Sequence, residues 1–261
     1  MHVEVIGCTS AGKSTLVRGM LAAADERGLA FISGDDIALG RTIGRVVKNE
    51  FLRRRLIDVP ALLASLRAWR THRELIRHVL HLSRVAPGGL TARLNLARNA
   101  LRKLGLYEIV ASRRRPGQTV LVDNEGVLQA AHNLFVHVDE AAEVDDEALA
   151  TFLRLAPLPD AVVYRRQSEA ELVLRTLRRG HRRVPAGSEE AARRFVGRAV
   201  RVFETIAADP RVRSRLVVVE PDGGTALGPG IPPAAELEGL RGIVKEGVAV
   251  ASARYSARRV G

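Results

Sequence analysis

The stretch Gly7-Cys8-Thr9-Ser10-Ala11-Gly12-Lys13-Ser14-Thr15 fits G-x-x-x-x-G-K-[ST], a spacing that serves to hold phosphate. Glycines at 7 and 12 let the backbone curl, so that successive N–H groups, those of Thr9, Ser10 and Ala11 included, point inward at an anion. Lys13 sets a cation near the outer phosphates, and the hydroxyl of Ser14, followed by Thr15, is placed for Mg²⁺. An apolar run, Val3 to Ile6, precedes the loop. A helical stripe of Leu16, Val17, Met20 and Leu21 follows it, so the motif stands between strand and helix.

Two sets of acids stand where chemistry on a bound phosphate would need them. A second strand, Leu29 to Ile32, ends at Ser33-Gly34-Asp35-Asp36. In an open parallel sheet the carboxyl edge is where ligands bind, so one of these acids, Asp36 in preference to Asp35, is expected to orient an acceptor hydroxyl. Capping of the next helix is the competing role. A third strand, Thr119 to Asp123, runs into Asn124-Glu125-Gly126. Asp123 has the position of a carboxylate serving Mg²⁺ or its waters, and Glu125 that of a group holding a bound water or a polar part of the substrate. Gly126 permits close backbone approach.

Arg175, Arg178, Arg179 and Arg182 fall at offsets of three, four and seven, along one broad helical face, with Arg183 beside them. Arginines on a closing lid would stabilise charge on a transferred group, and Gly180 and Pro185-Ala186-Gly187 supply places to bend.

Together the Gly7 to Thr15 loop, Asp35-Asp36, the Asp123 to Gly126 strand end and the Arg175 to Arg183 segment resemble nucleoside and nucleotide kinases of the thymidylate kinase type. The resemblance covers residues 1 to 40 and 116 to 225. It implies a P-loop NTPase fold, an α/β architecture whose five-stranded parallel sheet is flanked by helices. It also implies ATP as phosphoryl donor, Mg²⁺ as cofactor, and an arginine-rich lid. That family usually carries arginine at the third strand end, where this chain has Asn124 and Glu125.

The chain is expected to comprise a kinase core over 1–41 and 116–233, a helical insertion over 42–115, and a C-terminal helix and tail over 234–261. In the insertion, Leu52, Leu56, Leu62, Leu63, Leu66 and Trp69 recur at helical spacing, and Pro87-Gly88-Gly89 divides it into two arms. Its many arginines and its histidines His72, His78 and His81 read as a basic surface. With little acid nearby, a metal site there is disfavoured. Because the insertion lies where the resembled family builds its acceptor pocket, an unusual acceptor is implied.

A formal charge of +12 points to anionic partners or to a bias toward arginine. Aromatics at 4% leave few platforms for stacking single-stranded nucleic acid. Cys8 is the single cysteine, which excludes an internal disulfide, and no apolar stretch reaches the ~20 residues of a membrane span. A cytoplasmic location and a possible homodimer through the helical arms are expected. The favoured function is transfer of the γ-phosphoryl of ATP to a hydroxyl or phosphate of a small-molecule acceptor, anionic ones included. The alternative is a nucleotide hydrolase acting as a switch or a nucleic-acid-associated ATPase. Neither an N-K-x-D nor an L-S-G-G-Q motif occurs to favour a GTP switch or a transporter.

Overall fold

The computed structural model describes residues 1–40, 50–138, 144–181, 183–220, 224–227 and 239–249. The chain begins β1 (His2–Ile6), α1 (Lys13–Glu26), β2 (Phe31–Ser33) and α2 (Gly34–Leu39). Three long helices follow, α3 (Glu50–Arg67), α4 (Trp69–Val85) and α5 (Leu90–Arg113), and then β3 (Thr119–Asp123), α6 (Ala130–Phe135) and α7 (Asp146–Leu155). The rest comprises β4 (Ala161–Arg165), α8 (Glu169–Arg179), α9 (Glu189–Ala208), α10 (Pro210–Arg213), β5 (Leu216–Val219), β6 (Thr225–Leu227) and a helix, α11, over 239–249.

This is an α/β fold, compatible with the P-loop NTPase fold. The sheet order is β2-β3-β1-β4-β5-β6, and the first five strands run parallel. A sixth strand, in a stretch that sequence reads as a Gly/Pro-rich loop, pairs antiparallel with β5. Its reversal is closed by Glu220 N donating to Gly224 O at 2.8 Å.

The central strands are largely apolar on both faces, with His2 and Glu4 of β1 as buried exceptions, in keeping with a sheet covered on two sides. Val3, Val5, Ala161, Val163, Val217 and Val219 pack with α1 and α11. Ile6, Val162, Tyr164, Leu216 and Val218 face the opposite layer, with α4, α6, α7 and α9. In that second layer α9 buries Ala192, Phe195, Val196, Ala199, Phe203 and Ile206 in the 3.6-residue rhythm expected of it.

The first helical arm proves to be two helices, broken at Ala68 and kinked at His72 (φ −112, ψ 21). Helix α5 lies on the sheet, with Leu106, Ile109 and Val110 against Val120 and Val122, and α3 lies on α5. Gly105 makes that second contact possible, since a Cβ there would collide with the carbonyl of Ala61.

Of the C-terminal expectations, the loop through 233, the helix start near 234 and the tail 254–261 lie outside the described residues, as do 41–49 and 139–143. Among the described residues no helix is long and apolar enough to cross a membrane.

Candidate active site

The loop after β1 is held in a shape only part of which any residue could adopt. Gly7 has φ +145, and a Cβ on it would lie 2.8 Å from Arg165 O, so glycine is required there. Ser10 (φ +66) and Gly12 (φ +91) complete the curl. Gly12 is the N-cap of α1, without a side-chain cap and with no acid in the first turn. The positive end of the helix therefore meets the loop with no acid in its own first turn. Lys13, 5% exposed, folds back so that Nζ donates to Gly7 O (2.8 Å) and Cys8 O (2.9 Å). Burial pushes its ammonium down to about 8, which leaves it mostly charged at neutral pH.

Pairing of Val5 with Asp123 carries this loop and the end of β3 to one edge of the sheet. Ser14 Oγ donates to Asp123 Oδ2 at 2.8 Å, and Asn124 Nδ2 donates to both groups, at 3.3 and 3.2 Å. Two residues the sequence associates with one metal thus stand side by side. Glu125 goes elsewhere: its carboxylate is paired with Arg102 of α5 rather than turned toward Ser14. Arg102 also faces Asp58 of α3 at 3.4 Å, and the next residue, Lys103, donates to Asn124 O.

Arg102 and Lys103 escaped sequence reading because they lie within the insertion, among many other cations. The same holds for Glu4, an acid inside the apolar run of β1. It is fully buried, accepts from Gln129 N at 2.8 Å, and meets Gly126, where any Cβ would strike its carboxyl. Burial pushes Glu4 up and Lys103 down from their ordinary values, each toward its neutral form.

Two further buried residues brace the loop from the turn that starts α6. Gln129 accepts from Gly7 N and donates to Gly7 O, both at 3.2 Å. His132 Nε2 lies 3.2 Å from Thr9 Oγ1, and the ring stacks on Phe203. Burial, with Lys13 and Arg183 nearby, holds its imidazole well below the usual range, so it is neutral. The only signal for either residue is a polar side chain in an otherwise apolar helix start.

Asp36, favoured by sequence as the orienting acid, takes part in the cap that was its competing role. Ser33 is the N-cap of α2: its Oγ accepts from Asp36 N (3.2 Å) and donates to Asp36 Oδ2 (2.7 Å). Asp35, one residue earlier in the same turn, is half-buried.

Of the lid arginines, Arg175 reaches the loop, Nη1 donating to Ser10 O at 3.4 Å, while Nε is held by Glu171. Arg179 is exposed at the end of α8, close enough for its charge to depress the Lys13 ammonium. Arg182 lies outside the described residues. Arg183 is no part of a free lid, since it donates to Val136 O and Asn133 Oδ1, both at 3.1 Å. Gly180 (φ +65) ends α8, and Gly187 (φ +76) precedes the Ser188 cap of α9, so the bends fall where expected.

Two of the three insertion histidines have structural partners. His72 pairs with Glu108 at 2.8 Å, and His78 Nε2 lies 2.9 Å from Ala148 O. Among the described residues no three of His, Cys, Asp or Glu converge as a metal cluster. Cys8 is buried, and burial pushes its thiol up to about 12.

No protein-family model matches this chain, and no curated protein matches it.

Proposed function

We propose that this protein is an ATP- and Mg²⁺-dependent phosphotransferase that moves the terminal phosphoryl group of ATP to a hydroxyl of a small-molecule acceptor. The observation that carries the reading is the contact of Ser14 Oγ with Asp123 Oδ2 beside an uncapped helix N-terminus and a buried lysine. An anion-holding loop alone would fit many binding proteins. A hydroxyl and a carboxylate converging on it supply the oxygen donors that catalysis on a phosphate needs.

Mg²⁺ takes one or two protein oxygens, keeps several waters and shares substrate phosphates, so a pair of hard donors 2.8 Å apart suits it. Ser14 and Asp123, directly or through water, would hold it, and it would neutralise charge between the outer phosphates. Lys13 would leave the loop carbonyls for the phosphates, and the loop amides would hold their oxygens. With Asp36 committed to the cap, the acid that orients the acceptor is Asp35. The acceptor oxygen bonds to the terminal phosphorus as its proton passes to Asp35. The bond to the bridging oxygen breaks, and ADP leaves. Arg175 and Arg179 would meet the charge on the transferred group. In its donor, its cation and its lid this reading follows the thymidylate kinase type. The acceptor is different, since Arg102 and Lys103 approach the third strand end from the insertion.

The test is mass spectrometry of pooled hydroxyl metabolites incubated with protein, Mg²⁺ and ATP, run beside Lys13→Ala. One Lys13-dependent product heavier by a phosphoryl group is expected. ADP release that needs no acceptor, with no such product, would make the protein a hydrolase.

A further inference from the structure

Of the ten large apolar side chains exposed among the described residues, eight fall between positions 56 and 94. The most regular set lies on α3. Ile57, Ala61 and Ser65 are buried, while Leu56, Val59, Leu63 and Leu66 recur on the opposite side of the same helix. Val59 is 62% and Leu66 61% exposed, and Trp69 (41%) extends the set past the break at Ala68. On α4 the counterpart is cationic: Leu75, Ile76, Val79 and Leu82 go inward, and Arg70, Arg73, Arg77 and Arg84 are exposed at offsets of three, four and seven.

A leucine stripe ending in Trp69, followed in the chain by an exposed arginine stripe that starts at Arg70, has a specific charge requirement. Between residues 55 and 94 arginine outnumbers acid seven to two, and one of those acids, Asp58, is turned inward onto Arg98 and Arg102. A second copy of the chain would bring like charge to the α4 arginines, on a protein whose formal charge is already +12. A nucleic acid would satisfy the arginines and leave the leucines in water. An anionic bilayer answers both, taking aliphatic side chains at the acyl boundary, tryptophan at headgroup level and arginine on phosphate.

We propose that α3 and α4 form a docking surface for an anionic lipid membrane, with Leu56, Val59, Leu63, Leu66 and Trp69 entering the interface and the α4 arginines lying on its headgroups. This surface is separate from the Lys13 loop and needs no nucleotide.

Trp69 is the only tryptophan in the chain, so its fluorescence reports this surface alone. The full chain is mixed with phosphatidylcholine vesicles, with and without about one-third phosphatidylglycerol, and followed by sedimentation and Trp69 emission. Phosphatidylglycerol-dependent sedimentation with a blue shift of Trp69 is expected. Leu63→Asp/Leu66→Asp should weaken partitioning about ten-fold or more. Arg70→Gln/Arg73→Gln/Arg77→Gln should weaken it about five-fold for each arginine removed. All five positions are exposed, so thermal unfolding should match the parent, and the arginine set tests the proposal even if the leucine variant misfolds. Sedimentation that ignores phosphatidylglycerol, or equal binding by the leucine variant with Trp69 unshifted, overturns it. So does a lipid-free dimer that Leu63→Asp/Leu66→Asp dissolves, which would make a second copy the occupant.

Discussion

The side-chain amide of Gln129 grips the peptide of Gly7 from both sides, accepting from its N–H and donating to its carbonyl at 3.2 Å each. The same carbonyl accepts from Lys13 Nζ, so one amide sets both the curl of the loop and the resting place of its cation. Gln129→Leu keeps the bulk but leaves a buried N–H without its partner. It should cost about 1–3 kcal/mol of stability and weaken ATP binding, as read by thermal unfolding and calorimetry. Unchanged ATP affinity in a destabilised variant would confine Gln129 to the fold.

Lys13→Ala should lower phosphoryl transfer by about a hundred-fold or more while leaving the circular dichroism spectrum intact. Asp123→Asn should act through the cation, so its defect should shrink as Mg²⁺ is raised. An Asp123→Asn defect that ignores Mg²⁺ would remove that carboxylate from metal binding.

Asp35 and Asp36 are adjacent, yet their substitutions should separate. Asp36→Ala removes half of the Ser33 cap and should cost about 0.5–2 kcal/mol of stability with near-normal turnover. Asp35→Asn should lower kcat by about a hundred-fold, with KM for ATP little affected. The reverse pattern would return the orienting role to Asp36.

Acid should weaken the fold through its buried histidines. Burial lowers His2 to about 4 and holds His132 lower than its ordinary value. Below 6.5 the unfolded chain takes up protons that the folded one excludes. The contribution is therefore full above 6.5 and is lost as pH falls toward 4. For His2 alone the loss at pH 5 should be about 2 kcal/mol. Glu4, raised by burial, works in the opposite direction over part of that range, so the clean measurement is a difference. Urea unfolding at pH 7 and pH 5 should show a smaller drop for His2→Gln than for the parent; equal drops would mean that His2 is protonated without unfolding.

Cys8, the only thiol, should not react with iodoacetamide at pH 8 in the native protein and should react fully in denaturant. Rapid native alkylation would show that the loop opens.

The parallel strands were legible because each is a short run of apolar residues bounded by Gly, Pro or Asp. The curl of the loop was legible because the residues that shape it, Gly7, Ser10 and Gly12, are neighbours in the chain. What stayed hidden depends on distance along the chain. Glu4 and Gln129 are 125 residues apart, and Arg102 and Glu125 are 23 apart, so neither partner has local meaning without the other. Asp36 is a case of the opposite kind. Its nearest partner, Ser33, is three residues away, and a local cap claimed an acid that the sheet edge also made available. The third strand end shows both cases, since Asp123 keeps its expected neighbour Ser14 while Glu125 is taken by an arginine from the insertion.

The sheet ends on both sides in strands of three residues, β2 and β6, where β1, β3 and β4 have five. An outermost strand offers unpaired N–H and C=O groups to any other chain that comes alongside, and the hazard grows with its length. Here the strands richest in valine lie in the middle, and the reversal after β5 folds a short segment back over what would have been a four-residue valine-rich rim. The sixth strand is therefore a guard against chain-to-chain stacking. Removing residues 224–227 should leave a protein that binds nucleotide and precipitates on concentration.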